Sequence, residues 1–477
     1  MKKTAILYVL VLFLAACNTS SDQSSKQEGK VEKVKKPNII IILTDDQGFS
    51  DVGFNGSKDI LTPNIDAIAK EGIVFSNGYV SHPYCSPSRA GLMTGRYQQR
   101  FGHEHNVPFR PEDPTMGTPL EEVFLAEKLK QAGYGTCAIG KWHLGDHENF
   151  LPNNRGFDHW FGFSGGHMNF WGIPYTPNKT MHIQRNGKNI PKNELTYLID
   201  DFTDEAIWYI EANSEQPFFM YLSYNAPHSP DHATEKYLAK TAHIEYGTRS
   251  VYGAMIAGVD AGVGRIDSLL RAKNIRENTM IVFLSDNGGR LDAANNMPFR
   301  GHKGMLFEGG IRVPFAISWP AALPKKTTYD NSVSSLDLFP TCMEAAGLHV
   351  KKSDQLDGID LLPYLTGENT NSPHDNLYWR VANGEEFAIR KGNYKLIKSA
   401  YKKKTMLFDL EKDKMEIYDI SAQHPEIVKS MTLEYKDWNR QLKPPLWTDL
   451  HIENVAKEEK KVQDKRKKSL FVQKIKI

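Results

Sequence analysis

"PNIIIILTDDQGFSDVG", residues 37–53, is the stretch from which the fold can be read. The run from Ile39 to Leu43 has strand length and no polar alternation, so it reads as a buried strand. It stops at Asp45 and Asp46, and Gly48 follows. "TMIVFLSDNGG" (279–289) repeats the pattern, with Asp286, Asn287 and two glycines after the apolar run. "QPFFMYLSYNAPHSP" (216–230) is a third such strand, leading into His228, and "GYGTCAIGKWHLG" (133–145) is a fourth, leading to Lys141 and His143. Helical segments lie between these strands: "TPNIDAIAKEG" (62–72), stopped by Gly72, "PLEEVFLAEKLKQAG" (119–133) and "VYGAMIAGVDAGVGRIDSLLRA" (251–272). Strands alternating with helices predict an α/β domain with a mostly parallel central sheet flanked by helices. In such sheets ligand chemistry gathers beyond the carboxyl ends of the strands. The four polar groups just named all stand at predicted strand ends, and together they form a constellation.

Further along, the alternation weakens after about residue 345. "DGIDLLPYLTG" (357–367) reads as a closing segment, so the large domain is expected over 37–365. "NLYWRV", "EFAIRKGNYKLI" and "TMLFDLEKDKMEIYDI" are short strands joined by polar turns. With a helix from "PEIVKSMTLEYKDWNRQL" (425–442), they predict a small antiparallel sheet within an α+β subdomain, 366–477, that ends in a lysine-rich tail. At the other end, "MKKTAILYVLVLFLAAC" (1–17) has two lysines, an apolar run and small residues before Cys17. That is a secretory signal, too short and wrongly flanked for a membrane span. "LAAC" resembles the bacterial lipobox, whose cysteine is lipidated; a plain signal peptide cut near Ala16 is the other reading. Residues 18–36 are polar and read as a flexible tether. The expected location is the bacterial cell envelope, with Cys17 anchoring the chain to a membrane.

A chain of 477 residues with 40% hydrophobic and 24% charged residues is ordinary for a globular protein. The formal net charge of +2 gives no reason to expect nucleic acid. Four cysteines are too few and too scattered for a disulfide framework, and none are spaced as a zinc site. With Cys17 assigned to lipid, Cys85, Cys137 and Cys342 remain.

Cys85 lies in "HPYCSPSRAGLMTG" (82–95). Ser86 can cap a short helix, Pro87 suits its first position and Gly95 can end it. The free amides of that first turn favour an anion, and Arg89 adds a fixed positive fork. Cys85 therefore reads as a nucleophile pointed at an oxyanion, with a buried structural thiol as the alternative. Asp45, Asp46, Asp286 and Asn287 supply hard oxygen donors, which suit calcium or magnesium rather than zinc. A single Asp-Asp pair could cap a helix or make a turn; a second pair, Asp286-Asn287, after another strand points to a cation instead. Such a cation beside Cys85 would polarise an oxyanion.

These residues resemble the formylglycine-dependent sulfatases of the alkaline-phosphatase-like superfamily. "CSPSRAGLMTG" looks like their C-x-P-S-R modification signature, and "GYGTCAIGKWHLG" resembles their second signature. "TDDQG", "SDNGG", "APHSP" and "GHKGMLFEGGIRVP" support the match in order along residues 37 to about 320. The resemblance implies a sulfuric ester hydrolase in which a maturation enzyme oxidises Cys85 to formylglycine (3-oxoalanine). One hydroxyl of the hydrated aldehyde would attack sulfur, and loss of a proton from the other would expel sulfate. Asp45, Asp46, Asp286, Asn287 and the modified Cys85 would bind Ca2+, with Mg2+ as the lesser choice. Arg89 and Lys141 would hold the hydrated aldehyde and the sulfate charge. His143 would take the proton that triggers elimination, and His228 and Lys303 would bind sulfate and protonate the leaving alcohol.

Specificity is expected from loops around the pocket. "RYQQRFGHEHNVPFR" (96–110) brings Arg100, His103 and His105, Arg290 follows "DNGG", and His302 precedes Lys303. "GFDHWFGFSGGHMNFW" (156–171) offers Ser164 or His167 where some relatives place a serine, and adds Phe170 and Trp171, the latter a stacking surface for a sugar ring. Histidines and arginines interleaved with aromatics suit a sulfated oligosaccharide from ulvan or carrageenan, or a glycosaminoglycan. The lysine-rich tail could attract such a polyanion or simply be solvated. A phosphonate or phosphate ester hydrolase of the same superfamily and a non-catalytic glycan-binding lipoprotein are the competing readings.

Overall fold

The computed structural model describes residues 36–173, 180–399 and 404–448. Ten strands form one sheet in the order Thr327–Tyr329, Ile73–Phe75, Phe315–Ser318, Thr279–Ser285, Asn38–Thr44, Phe218–Ser223, Gly135–Lys141, His159–Phe163, Gln184–Arg185 and Lys188–Asn189. The five from Thr279–Ser285 to His159–Phe163 run parallel, and antiparallel strands flank them on both sides. The apolar runs have the alternation of a sheet covered on both faces. Ile39, Ile41 and Leu43 enter one core cluster, and Ile40 and Ile42 enter the other. Helix Thr248–Ala272 packs with Leu198–Asn213 over the second of these faces.

Register explains why the polar residues converge. Thr44 lies opposite Ser285, Leu43 opposite Ser223, and Gly140 opposite Ser223. Parallel strands in that register finish at one edge, so Asp45, Asp286, Lys141 and the turn that follows Ser223 meet there.

A second sheet, antiparallel, has the order Asn376–Val381, Glu386–Lys391, Tyr394–Ser399, Lys404–Asp409. Helix Pro425–Asn439 packs on it through Met431, Tyr435 and Trp438. The sheet also grips the segment around the Cys85 helix: Trp379 Nε1 donates to the Val80 carbonyl at 2.8 Å, and the buried Arg380 pairs with Glu104. The expected antiparallel sheet and helix are thus present, but the last predicted strand stops at Asp409 and the chain continues in turns.

Two helices differ from expectation. "PLEEVFLAEKLKQAG" is helical only over Leu125–Gln131, because Glu127 reaches back to the Phe124 amide and starts the helix there. The helix after "HPY" begins at Cys85 itself, with Tyr84 at its cap, while Gly95 ends it at φ 65°. Ser86 does not cap; its hydroxyl is bonded to His103 and to the His143 carbonyl. The leader, Cys17, the tether and the lysine-rich tail lie outside the described residues. Among the described residues no helix is long and apolar enough to cross a membrane.

Candidate active site

Each strand end delivers its side chain through a local constraint. Asp46 and His143 both sit in left-handed backbone, at φ 65° and 60°. Non-glycine residues there cost about 1–3 kcal/mol and persist where the surroundings enforce them. For Asp46 the enforcement is visible: Gly48 N donates to Asp51 Oδ2 and to Tyr252 Oη, and Tyr252 Oη donates to Asp51 at 2.7 Å. A Cβ on Gly48 would stand 2.5 Å from Asp51 Oδ2 and 2.6 Å from the Asn295 carbonyl, so the turn closes only on glycine. For His143, the amide donates to Ser164 O at 2.8 Å and the ring packs on bare Gly166.

The cluster itself is a buried set of carboxylates, each matched to a cation. Lys141 Nζ is 2.6 Å from Asp45 Oδ2 and Lys303 Nζ is 2.8 Å from Asp46 Oδ2. Arg89 donates through Nε and Nη2 to Asp286 Oδ2, at 2.9 and 2.8 Å, and through Nη1 to Ser223 Oγ. Cys85 Sγ faces this set, 3.4 Å from Asp45 Oδ1 and 3.9 Å from Asp46 Oδ1. His228 points Nε2 at Asp46 Oδ2 from 3.6 Å, and its Nδ1 lies 2.6 Å from the Ser229 carbonyl. The ring of His167 stacks on it at 6.1 Å.

These neighbours set protonation. Burial pushes the Cys85 thiol far up, reinforced by the Asp286 charge, so it stays a thiol. Burial opposes the Asp46 charge, yet the ammonium groups of Lys303 and then Lys141 hold its carboxyl well below the usual range. Burial likewise opposes the Lys303 charge, and Asp46 outweighs it, so Lys303 keeps its proton. Burial, aided by Lys303 and Lys141, pushes His228 down to about 3. His143 is also driven well below its ordinary value, by burial and then by Lys141 and Arg89. The site therefore holds a charged proton donor in Lys303 and two neutral imidazoles.

Its donors also fit a hard divalent cation. Ligand atoms of Asp45, Asp46, Cys85 and His228 lie within 4.8 Å of one another. Asn287 turns its carbonyl oxygen, buried and without a hydrogen-bond partner, away from its own bonds to Asp46 and Gly288. An orphaned acceptor beside carboxylates is what a cation satisfies. Two details depart from the expected ligand set. His228 joins the close cluster, and Asp286 already has Oδ2 on Arg89 and Oδ1 on the Asp46 amide.

The loop residues divide. His167 lies in the site, His302 sets Nδ1 2.9 Å from the Lys303 carbonyl, and Arg290 is ion-paired to Asp231. Trp171 is 38% exposed, its ring against Tyr197 and His232. Ser164 contributes its carbonyl to His143 and helps to lower the Asp146 pKa against burial. Arg100, His103 and His105 are corrections. Arg100 is clamped bidentately to Asp357 at 2.7 and 2.6 Å. His103 is fully buried between Ser86, Thr118 and Trp447. His105 is buried too, with its carbonyl on Trp447. The tight turn Gln98–Phe101 directs this segment toward the C-terminal sheet and helix. Sequence reasoning missed Ser223 and Asp51; the hydroxyl ending each of three adjacent strands, Thr44, Ser223 and Ser285, was the available signal.

Known proteins resemble the chain in sequence and fold. A family model described as Sulfatase matches residues 37–348, and one described as N-sulphoglucosamine sulphohydrolase, C-terminal, matches 301–441. N-acetylgalactosamine-6-sulfatase of Mus musculus is 36% identical over 381 residues, 75% of this chain and 71% of its own length. The uncharacterized sulfatase YdeN of Escherichia coli K12 is 30% identical over 501 residues, 86% and 87% of the two chains. The crystal structure of Ps i-CgsB in complex with k-i-k-neocarrahexaose superimposes with a TM-score of 0.83 at 38% identity, over 88% of this chain and 96% of that one. The family model starts at the central strand Asn38–Thr44 and runs through every residue of the cluster, from Asp45 to Lys303, so the chain belongs to the sulfatase family and is a sulfuric ester hydrolase.

Proposed function

We propose that this enzyme removes sulfate from oligosaccharides of a sulfated polysaccharide, with a carrageenan-type glycan as first choice and ulvan or a glycosaminoglycan as alternatives. The observation that carries the reading is the 38% identity with Ps i-CgsB over 96% of that chain, a protein whose structure holds a neocarrahexaose. The murine relative, named for an N-acetylgalactosamine 6-sulfate, supports a sugar substrate as well.

The chemistry follows from the cluster. The C-x-P-S-R run at Cys85, whose thiol lies 3.4 Å from Asp45 Oδ1, together with the family match supports conversion of Cys85 to formylglycine by a maturation enzyme. That group supplies a hydrated aldehyde, with one hydroxyl to attack sulfur and a second to release sulfate afterwards. Asp45, Asp46 and Asn287, with Asp286 beside them, would hold a divalent cation, calcium by the hardness of the oxygens, which supplies Lewis-acid polarisation of the sulfate. Arg89 fixes Asp286 and presents positive charge at the base of the Cys85 helix, and Lys141 does the same beside Asp45. His143, neutral and with an unpartnered Nδ1, is suited to accept a proton. Lys303 retains a proton to give to the leaving alcohol, and His228 faces the same oxygen of Asp46. Lipid anchoring at Cys17 on the bacterial envelope belongs to the same reading and rests on the leader's sequence.

The test is a panel of carrageenan, ulvan and glycosaminoglycan oligosaccharides, with aryl sulfates and phosphate esters alongside. The enzyme is coexpressed with a maturation enzyme, and the Cys85 peptide is weighed by mass spectrometry. Sulfate release from a glycan, lost in Cys85→Ala, is expected. Release only from aryl sulfates, or faster turnover of phosphate esters, would overturn the substrate reading. An unmodified but active Cys85 would overturn the nucleophile.

A further inference from the structure

Lys303 sits in the loop between Arg300 and Glu308, and both ends of that loop are held by one residue from the C-terminal part of the chain. Glu416 is fully buried, in left-handed backbone at φ 54°. Its Oε2 accepts from the Glu308 amide at 2.7 Å, and its backbone carbonyl accepts from Arg300 Nη1 at 2.8 Å. Its Oε1 lies 2.9 Å from Lys395 Nζ. Lys395, on the strand Tyr394–Ser399, reaches on to Glu308 Oε1 at 2.7 Å. Glu308 Oε2 in turn takes Tyr79 Oη at 2.6 Å and Arg312 Nη1 at 3.1 Å.

Between the two ends the loop is closed on itself and on the site. The Gly309 amide donates to the Arg300 carbonyl at 2.7 Å, and the Lys303 amide donates to the Gly289 carbonyl, two residues beyond Asn287. The Gly304 amide donates to the Pro83 carbonyl, two residues before Cys85. From that frame Lys303 projects its ammonium onto Asp46. Arg300 also stacks over Phe307, which packs in a cluster with Phe408 of the small sheet.

Burying Glu308, Lys395 and Glu416 together carries a large desolvation cost, and an apolar trio of similar volume would often be at least as stable. Here Glu416 bonds both ends of one short loop, the Glu308 end through its carboxylate and the Arg300 end through its backbone carbonyl. We infer that Glu416 is a positioning residue for Lys303, and that through it the small C-terminal sheet sets the geometry of proton delivery to the leaving alcohol. The inference rests on the role given to Lys303 above.

Glu416→Ala, Glu416→Gln, Lys303→Ala and the double variant Lys303→Ala/Glu416→Ala are compared in matured enzyme. Initial rates are measured on a sugar sulfate and on nitrophenyl sulfate, whose leaving group barely needs a proton. Glu416→Ala is expected to lower kcat on the sugar sulfate about tenfold or more, with KM nearly unchanged and a loss below about threefold on nitrophenyl sulfate. Glu416→Gln, which keeps an oxygen for the Glu308 amide, recovers most of the rate. In the Lys303→Ala background, Glu416→Ala adds little. If Glu416→Ala does not fold, Arg300→Met releases the other end of the loop and carries the same expectation. Equal losses on both substrates in a folded variant, or additive losses in the double variant, would overturn the clamp. Equal losses on both substrates in Lys303→Ala alone would overturn the reading of Lys303 instead.

Discussion

Asn287 donates its amide nitrogen to Asp46 Oδ1 at 2.8 Å and thereby leaves its own carbonyl oxygen buried and without a partner. Two side chains from different strand ends are thus tied together, and the Asn287 oxygen is left as a buried acceptor with no donor. A divalent cation held there satisfies the orphan and offsets the carboxylates, so its removal destabilises the fold as well as the chemistry. Extraction with a strong chelator is expected to lower the melting temperature, and calcium to restore it. Asn287→Leu, which keeps the bulk and loses the oxygen, should weaken calcium binding by about tenfold or more. Stoichiometric zinc in the purified enzyme, without calcium or magnesium, would contradict the oxygen-donor reading.

His228 carries a different expectation. Its Nδ1 lies 2.6 Å from the Ser229 carbonyl, so the proton of the neutral ring is held there and Nε2 turns a lone pair toward Asp46. A ring pushed down to about 3 does not carry a second proton at neutral pH in the free enzyme. To act on the leaving group it must gain that proton once the anionic ester is bound beside it. His228→Ala should therefore cost about a hundredfold or more on sugar sulfates and less than about tenfold on nitrophenyl sulfate. Equal losses would assign it to binding alone.

How far the site could be read from sequence depended on what the backbone dictates. Asp45, Asp46, Lys141, Asp286 and Asn287 were legible because each follows a buried apolar strand, and parallel register then brings such ends together whatever their separation along the chain. Arg100, His103 and His105 were misjudged because closeness to the nucleophile helix in sequence says nothing of direction. A tight turn hands them to Asp357, Ser86 and Trp447. Glu416 carried no signal at all, since its importance lies in bonds to residues more than a hundred positions away.

Asp146 gives the protein a pH-dependent stability. Its carboxyl is buried, with Oδ1 unpartnered and only weak support from the Arg110 amide at 3.4 Å and from Ser164. Burial pushes its pKa from 3.8 up to about 7. The folded state thus binds the proton more tightly than the unfolded chain. Its contribution is fully present below about pH 4 and is lost as pH rises through about 7. Three pH units at about 1.4 kcal/mol each set an upper bound near ~4 kcal/mol for that loss. Asp146→Asn removes the titration. The melting temperature of the variant, relative to the parent, should rise between pH 5 and pH 8. A constant difference across that range would show that the carboxyl is ionised throughout.

Trp171 is expected to read the sugar beyond the sulfate. Its ring is held against Tyr197, 5.3 Å between centroids, and against His232, yet the side of the residue left to solvent is large for a tryptophan, at 38%. The loop cannot easily fold it away: Asn169 Oδ1 accepts from the amides of both Trp171 and Ile173, and Gly172 turns the chain at φ 68°. His232 lies four residues beyond His228, within a reach of about 14 Å of chain. A pinned, partly exposed indole suits the apolar face of a pyranose. Covering part of that ring is worth about 1–2 kcal/mol of binding, or roughly 5–30-fold in KM. Trp171→Ala should raise KM by that factor for a sulfated tetrasaccharide or hexasaccharide. It should leave kcat and the turnover of nitrophenyl sulfate nearly unchanged, because the aryl ester has no second ring to stack. A loss of the same size on both substrates would mean that Trp171 supports the fold of the loop and takes no part in choosing the glycan.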